Sequence, residues 1–170
     1  MMKIIILFLM SCSITAFSQE YDDAFIKYDL DTELSQIENS EGVPDNIINE
    51  RYIYNNRNIN GLIVNYEYIF INDKLSIAHI IFQIDKNNTI EYYEKYFYNI
   101  VEYYNKKYGV GKIMEVDYGK FINYRVFWET DKIFLKTDNE SEFIKLQMIV
   151  PKNNNIEEFV LYLTYSHWGM

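Results

Sequence analysis

From residue 62 onward apolar residues recur at every second position in run after run, and that period constrains the fold more than any other feature of the chain. Leu62, Val64, Tyr66, Tyr68 and Phe70 form the first run, and Ala78, Ile80, Phe82 and Ile84 the next. Later runs follow through Met114, Val116 and Tyr118; Tyr124, Val126 and Trp128; Ile133 and Leu135; Ile144, Leu146, Met148 and Val150; and Phe159, Leu161, Leu163 and Tyr165. Successive side chains of a strand point to opposite faces, so this period predicts strands buried on one side. The polar stretches ETDK, TDNES and PKNNN between the later runs are short enough for turns, which predicts an antiparallel meander.

The first two runs read as a hairpin. A three-residue turn of Asn72, Asp73 and Lys74 pairs Phe70 with Ser76 and Tyr66 with Ile80, giving the more uniform apolar face. His79 then shares the other face with Ile69, Ile71, Ile77 and Ile81. That face is too apolar to be bare, and the first helix, the N-terminal segment or a partner is expected to cover it. Before the hairpin, the Asn-rich stretch NERYIYNNRNING (residues 49–61) reads as irregular.

Two segments have helical rather than strand character. In the first, Asp31-Thr32 offers an N-cap, Leu34 and Ile37 lie one turn apart, and Gly42-Val43-Pro44 stops the helix. The second, residues 91–109, holds seven tyrosines in nineteen residues. Thr89 caps it, Gly109 ends it, and Lys106 and Lys107 favour its C-terminal dipole. At 100° per residue, Ile90, Tyr93, Phe97, Ile100, Val101, Tyr104 and Tyr108 share one broad core face. Tyr92, Tyr96 and Tyr103 form a second row beside Lys107, the candidate partner-contact site, since tyrosine supplies rigid amphipathic contact area. The competing reading is a flank resting on loops, and AT-rich codon usage would itself enrich Asn, Lys, Ile, Tyr and Phe. IENSEGVP and YNKKYGVG form a faint internal echo, each ending a helix in Gly-Val. Together these elements predict an α+β fold, a hairpin plus a multi-strand meander in an antiparallel sheet packed with one long and one short helix. Residues 19–170 are expected to form one domain.

The N-terminal residues read as a secretory signal. Lys3 supplies a short positive region, residues 4–10 an apolar core, and Ala16-Phe17-Ser18 a small-x-small cleavage site. The expected reading is cleavage after Ser18 and a periplasmic or secreted mature chain. Its alternative is lipidation of Cys12 within Leu9-Met10-Ser11-Cys12, which would anchor the chain to a membrane. No apolar run is long enough to predict a transmembrane segment. Cys12 is the only cysteine, so cleavage after Ser18 leaves neither a disulfide nor a thiol. A net charge of −9 weighs against nucleic acid, which requires a clustered basic face.

The order of motifs resembles a group of small secreted or lipid-anchored bacterial domains with no assigned activity. The residues that carry the likeness are a short helix running into Glu38-x-x-Glu41-Gly42, Tyr68-x-Phe70-x-x-x-Lys74-Leu75, and a long helix ending Lys107-Tyr108-Gly109. Trp128-Glu129-Thr130-Asp131-Lys132, an Ile133-x-Leu135 strand and a last strand ending Tyr165-Ser166 complete it. The resemblance implies the fold and no catalytic residue.

Catalytic signatures are not legible. The chain has no Gly-x-Ser-x-Gly elbow, P-loop, Gly-x-Gly-x-x-Gly or His-Glu-x-x-His. Two histidines, His79 and His167, are few for zinc, and His167 lies near the chain end. Asp29, Asp31 and Glu33 alternate like a calcium loop but lack its glycine and distal glutamate, so a solvated turn capping the helix is expected. Glu157-Glu158 reads as surface charge and Trp128 as core. No metal, cofactor or catalytic residue is expected. The expected function is therefore a non-catalytic envelope protein binding another protein or a saccharide. The alternatives are a periplasmic inhibitor or immunity protein, acidic to match a basic cleft, and a hydrolase whose site is unrecognised.

Overall fold

The computed structural model describes residues 25–59, 61–129 and 142–167. Its elements run α1 (Leu34–Glu41), β1 (Asn46–Ile48), β2 (Arg51–Ile59), β3 (Leu62–Ile71), β4 (Lys74–Phe82), α2 (Ile90–Tyr108), β5 (Lys112–Asp117), β6 (Phe121–Glu129), β7 (Glu142–Pro151) and β8 (Val160–His167), with a 3₁₀ turn at Ile156–Glu158. The eight strands form one antiparallel sheet in the order β1-β2-β3-β4-β8-β7-β6-β5.

This corrects the α+β expectation. Among the described residues the fold is mainly β, a single eight-stranded antiparallel sheet carrying two helices, because strands far outnumber helices once β1 and β2 extend the hairpin beside the meander. β4 hydrogen-bonds β8, with His79 opposite Thr164 and Ile80 opposite Leu163, and this seam fuses them. The Asn-rich stretch is also not irregular: it supplies most of the β1–β2 hairpin and β2 itself. Its alternation is hidden by a bulge in which Asn55 and Asn56 together oppose one residue of β3, between the pairs Tyr54–Tyr66 and Arg57–Val64. Asn56 takes φ 55°, the Asn65 carboxamide accepts from its backbone N–H at 3.1 Å, and the Gln83 carboxamide donates to Asn56 and Asn65 at 2.8 Å each. One extra residue swaps the faces of all that follow. Arg57 therefore lands on the same side as Tyr54, its guanidinium 5.6 Å from the Tyr54 ring centre.

The β3–β4 turn differs from expectation in the same way. It is a two-residue turn, Asn72-Asp73, with φ 51° and 60°, the positive pair that a twisted hairpin favours. Phe70 pairs with Leu75, yet Tyr66 still pairs with Ile80, because Ser76 is bulged out between the two registers. The predicted apolar face thus survives with a different turn. The sequence-predicted strand through Ile133 and Leu135 lies outside the described residues.

The helices lie on one face of this sheet. On α2, Ile90, Tyr93, Phe97, Ile100, Val101 and Tyr104 are buried and Tyr108 is half-buried, the core stripe that its 3.6-residue period specifies. Tyr93 meets Phe159, Phe97 meets Tyr124 and Tyr104 meets Trp128, at ring-centre distances of 5.7, 6.5 and 5.2 Å. The Thr89 hydroxyl accepts from Tyr92 N–H, and Gly109 closes the helix at φ 84°. α1 is stopped by Gly42 as expected, but its N-terminal residue is Glu33, without a side-chain cap. Thr32 instead donates its hydroxyl back to the Asp29 carbonyl at 2.6 Å. The helix start is held by the sheet, through backbone bonds Asp31 N–H to Leu75 O, Leu75 N–H to Thr32 O and Leu34 N–H to Asp73 O, 2.8–2.9 Å. Ile37, fully buried, is its core contact. The Tyr28 ring meets Tyr68 edge-on and Phe25 meets Phe82, so the segment leading into α1 lies on the α2 side of the sheet.

Candidate functional site

The sheet's two faces are unequal. On one, Tyr66, Tyr68, Ile80, Leu163, Leu146 and Val126 stand beneath the helices and are buried. The other face is covered by no described residue, so α1 is not its cover, and of the three covers expected the N-terminal segment before residue 25 and a partner stay open. Ile69, Ile77, His79 and Ile81 are half-buried there, and Ile71 is 47% exposed.

The cross-strand registers assemble this open face into transverse rows. Through the middle runs Glu67–His79–Thr164–Lys145–Phe127, one residue from each of β3, β4, β8, β7 and β6. Beside it runs Asn65–Ile81–Tyr162–Gln147–Arg125–Met114. The floor is polar: Thr164, Ser166, Gln147 and Asn123 are all buried. His79 Nδ1 lies 3.1 Å from Thr164 Oγ1. The Tyr162 hydroxyl donates to Gln147 Oε1, and Lys145 Nζ stands 5.4 Å from the Tyr162 ring centre. Arg125 reaches the Tyr118 hydroxyl at 3.4 Å.

Electrostatically the face opposes the rest of the chain. It carries Arg51, Lys112, Arg125 and Lys145, with Glu67 as the acid of its central row and Glu129 at the end of β6, in a protein of net charge −9. Arg51 lies 3.9 Å from Glu67. Burial holds the His79 imidazole below its ordinary range; Glu67 opposes that shift while Lys145 and Arg51 add to it. Burial also lowers Lys145, and the neighbouring Arg125 charge pushes the same way.

The tyrosine row of α2 is divided. Tyr92 and Tyr96 are a pair, rings 5.1 Å apart and hydroxyls 3.2 Å apart. Tyr103 is two helical turns further on, roughly 10 Å along the axis, with Lys107 Nζ 6.0 Å from its ring centre. Only Tyr92, at 38%, counts as exposed, while Tyr96 and Tyr103 pack partly against the core. Tyrosine is otherwise core material here. Tyr28, Tyr54, Tyr66 and Tyr68 cluster under α1, and Glu41 accepts there from Lys27 at 2.9 Å and from the Tyr28 hydroxyl at 3.0 Å. Burial first, then the Glu38 and Glu41 charges, pushes Tyr54 up to about 12.

No family model, curated protein or solved structure matches this chain.

Other sequence candidates fall into structural places. His167 ends β8, buried, with Nε2 3.9 Å from an Asp31 carboxylate oxygen, rather than in a loose terminus. Asp29, Asp31 and Glu33 form no loop around a common centre: Asp31 bonds the β4 backbone and Glu33 bridges Lys74. Among the described residues no group of three His, Cys, Asp or Glu side chains gathers at metal-binding distance. No helix among them is long and apolar enough to cross a membrane.

Sequence reasoning singled out Ile69, Ile71, Ile77, His79 and Ile81 of this face, but not its residues on β6, β7 and β8. Arg125, Lys145, Gln147, Tyr162 and Thr164 are the off-beats of the apolar alternations in β6, β7 and β8. Each strand gives their face, but nothing in one strand says which off-beats become neighbours.

Proposed function

We propose that this chain is a non-catalytic binding protein whose working surface is the open face of the sheet. The observation that carries the reading is the asymmetry of cover: both helices serve one face, while the other leaves Ile69, Ile71, Ile77 and Ile81 among its incompletely buried residues around a polar floor. A mixed surface of half-covered apolar side chains and polar groups is what docking sites on soluble proteins present. An envelope location fits through Lys3, the apolar residues 4–10 and the Ala16-x-Ser18 site, and an envelope protein is then the natural partner. The inhibitor reading asks for an acidic docking surface; the cations of the open face favour the general binding reading instead. The Tyr92–Tyr96 pair offers less, since it leaves one ring exposed.

The test uses the intact mature chain as bait in envelope extract, beside Ile77→Asp and Ile81→Asp variants. A specific protein retained by the parent and lost by both variants, with the melting temperature of the variants preserved, is the expected result. Capture indifferent to these substitutions would overturn the reading.

A further inference from the structure

The positive charge of the open face is concentrated where it is not internally compensated. Arg51 has Glu67. Lys145 and Arg125 have no carboxylate partner among the described residues, although they sit on adjacent strands, Arg125 opposite Gln147 and Lys145 opposite Phe127. Diagonal neighbours across an antiparallel pair lie roughly 7 Å apart at the backbone, close enough for two long side chains to reach one anion. Both are oriented. Lys145 is held over the Tyr162 ring, itself fixed by Gln147, and Arg125 is directed by Tyr118. Arg125 Nε, a donor, is buried with no hydrogen-bond partner among the described residues. Two like charges held side by side with hydrogen-bonding capacity unspent form an arrangement that a bound anion would relieve. The surroundings select among anions: Ile81 shares a row with Arg125, and Phe127 and Tyr162 flank Lys145. Aliphatic and aromatic flanks suit a polypeptide, whereas a phosphate polymer offers nothing for isoleucine to meet.

We propose that Lys145 and Arg125 form the seat on the open face for a side-chain carboxylate of an acidic protein partner. This rests on the open-face reading above and names the chemistry of its partner.

The experiment titrates the intact mature chain with poly-L-glutamate and, separately, with inorganic polyphosphate at equal charge concentration, following heat and melting temperature. The protein as a whole repels polyanions at net charge −9, so binding has to come from a local site. Poly-L-glutamate should bind and raise the melting temperature, with affinity falling on the order of tenfold when salt rises from low to physiological strength. The double variant Lys145→Gln with Arg125→Gln should abolish this. A control of equal charge change, Lys86→Gln with Lys95→Gln on exposed positions, should retain it. If the double variant fails to fold, Lys145→Gln alone carries the test, because it keeps most of the aliphatic stem. Absence of binding, equal binding by the double variant, or tighter binding of polyphosphate would each overturn the proposal. The two readings also fail separately. A partner lost on Ile77→Asp but unaffected by Lys145→Gln with Arg125→Gln sinks the carboxylate seat alone. Poly-L-glutamate binding through Lys145 and Arg125, beside capture indifferent to Ile77→Asp and Ile81→Asp, sinks the docking reading alone.

Discussion

The chain builds the same plan twice, and the two halves support it differently. Residues 34–82 give a helix and the four-strand meander β1–β4; residues 90–167 give a helix and the four-strand meander β5–β8, and the last strand of each meets the other at the seam. The faint echo in the sequence falls at equivalent places. Gly42 and Gly109 each end a helix at φ 84°, and each is followed by a solvent-exposed valine, Val43 and Val110. In the second half a 19-residue capped helix supplies the core stripe. In the first, an eight-residue helix without a side-chain cap hangs from the β3–β4 turn, and buried tyrosines of the sheet fill the space beneath it. Both halves bury polar atoms without a partner among the described residues, the Tyr68 hydroxyl in the first and Asn123 Oδ1, Arg125 Nε and His167 Nδ1 in the second, where Asn105 Oδ1 also accepts from both Trp128 Nε1 and Gly111 N–H at 2.8 Å. A short helix is sufficient where the sheet supplies its own bulk, and a long one is needed where the sheet does not.

That contrast can be broken most sharply at the centre of α2. Phe97→Ala empties a site flanked by Tyr124 and should cost about 3–5 kcal/mol, as truncation of a buried aromatic does; urea unfolding gives the value. A loss under about 1 kcal/mol would show that α2 is not the core of its half.

Next in size is the tyrosine row. Changing Tyr92, Tyr96 and Tyr103 together to serine should lower stability by about 2–3 kcal/mol, less than one fully buried ring for each because the three are only partly covered. A variant that melts like the parent yet loses its partner would return the row to the status of a binding site.

The pair Gly111 and Pro44, last in each echo, separates the halves directly. A Cβ at Gly111 would sit 2.6 Å from both Trp128 Nε1 and Val126 Cγ1. Gly111→Ala should therefore cost about 1–3 kcal/mol by overpacking and shift the tryptophan fluorescence. Pro44→Ala, with no comparable neighbour to displace, should stay within roughly 1 kcal/mol. Equal losses would mean that the two junctions are packed alike.

Tyr68→Phe probes the buried polar atom of the first half. Removing a hydroxyl that is buried without a partner should leave stability unchanged or raise it by up to about 1 kcal/mol; a clear loss would reveal a bond to that oxygen.

The smallest effect is at the seam. Because the His79 pKa is depressed in the fold, the unfolded chain binds the proton more readily, so the stabilising contribution is complete above the ordinary value of about 6.5 and is lost as pH falls through the lower folded value. Burial sets that value first, with Glu67 opposing it and Lys145 and Arg51 adding to it. His79→Gln should flatten this part of the stability–pH curve, by less than about 1 kcal/mol; an unchanged slope assigns it to other groups.

Much of this architecture was legible locally. The alternations through Tyr66, Val126, Leu146 and Leu163 specify strands and faces because a pleated strand has period two, and the stripe of α2 follows from period 3.6 and its Thr89 and Gly109 ends. β2 was illegible because its bulge at Asn55 and Asn56 breaks that period, and the bulge is held by Asn65 and Gln83 from other strands. Ser76 hid the true β3–β4 turn in the same way, its extra residue letting a two-residue turn produce the register expected of a longer one. The sequence by itself therefore determined which residues face inward along most strands and where both helices end, since those depend on neighbours within a few positions. Only the tertiary structure decided that hairpin and meander meet along β4 and β8, that both helices take the same side, and that Lys145 and Arg125 come to stand together. These depend on cross-strand register, set by packing between residues far apart in the chain.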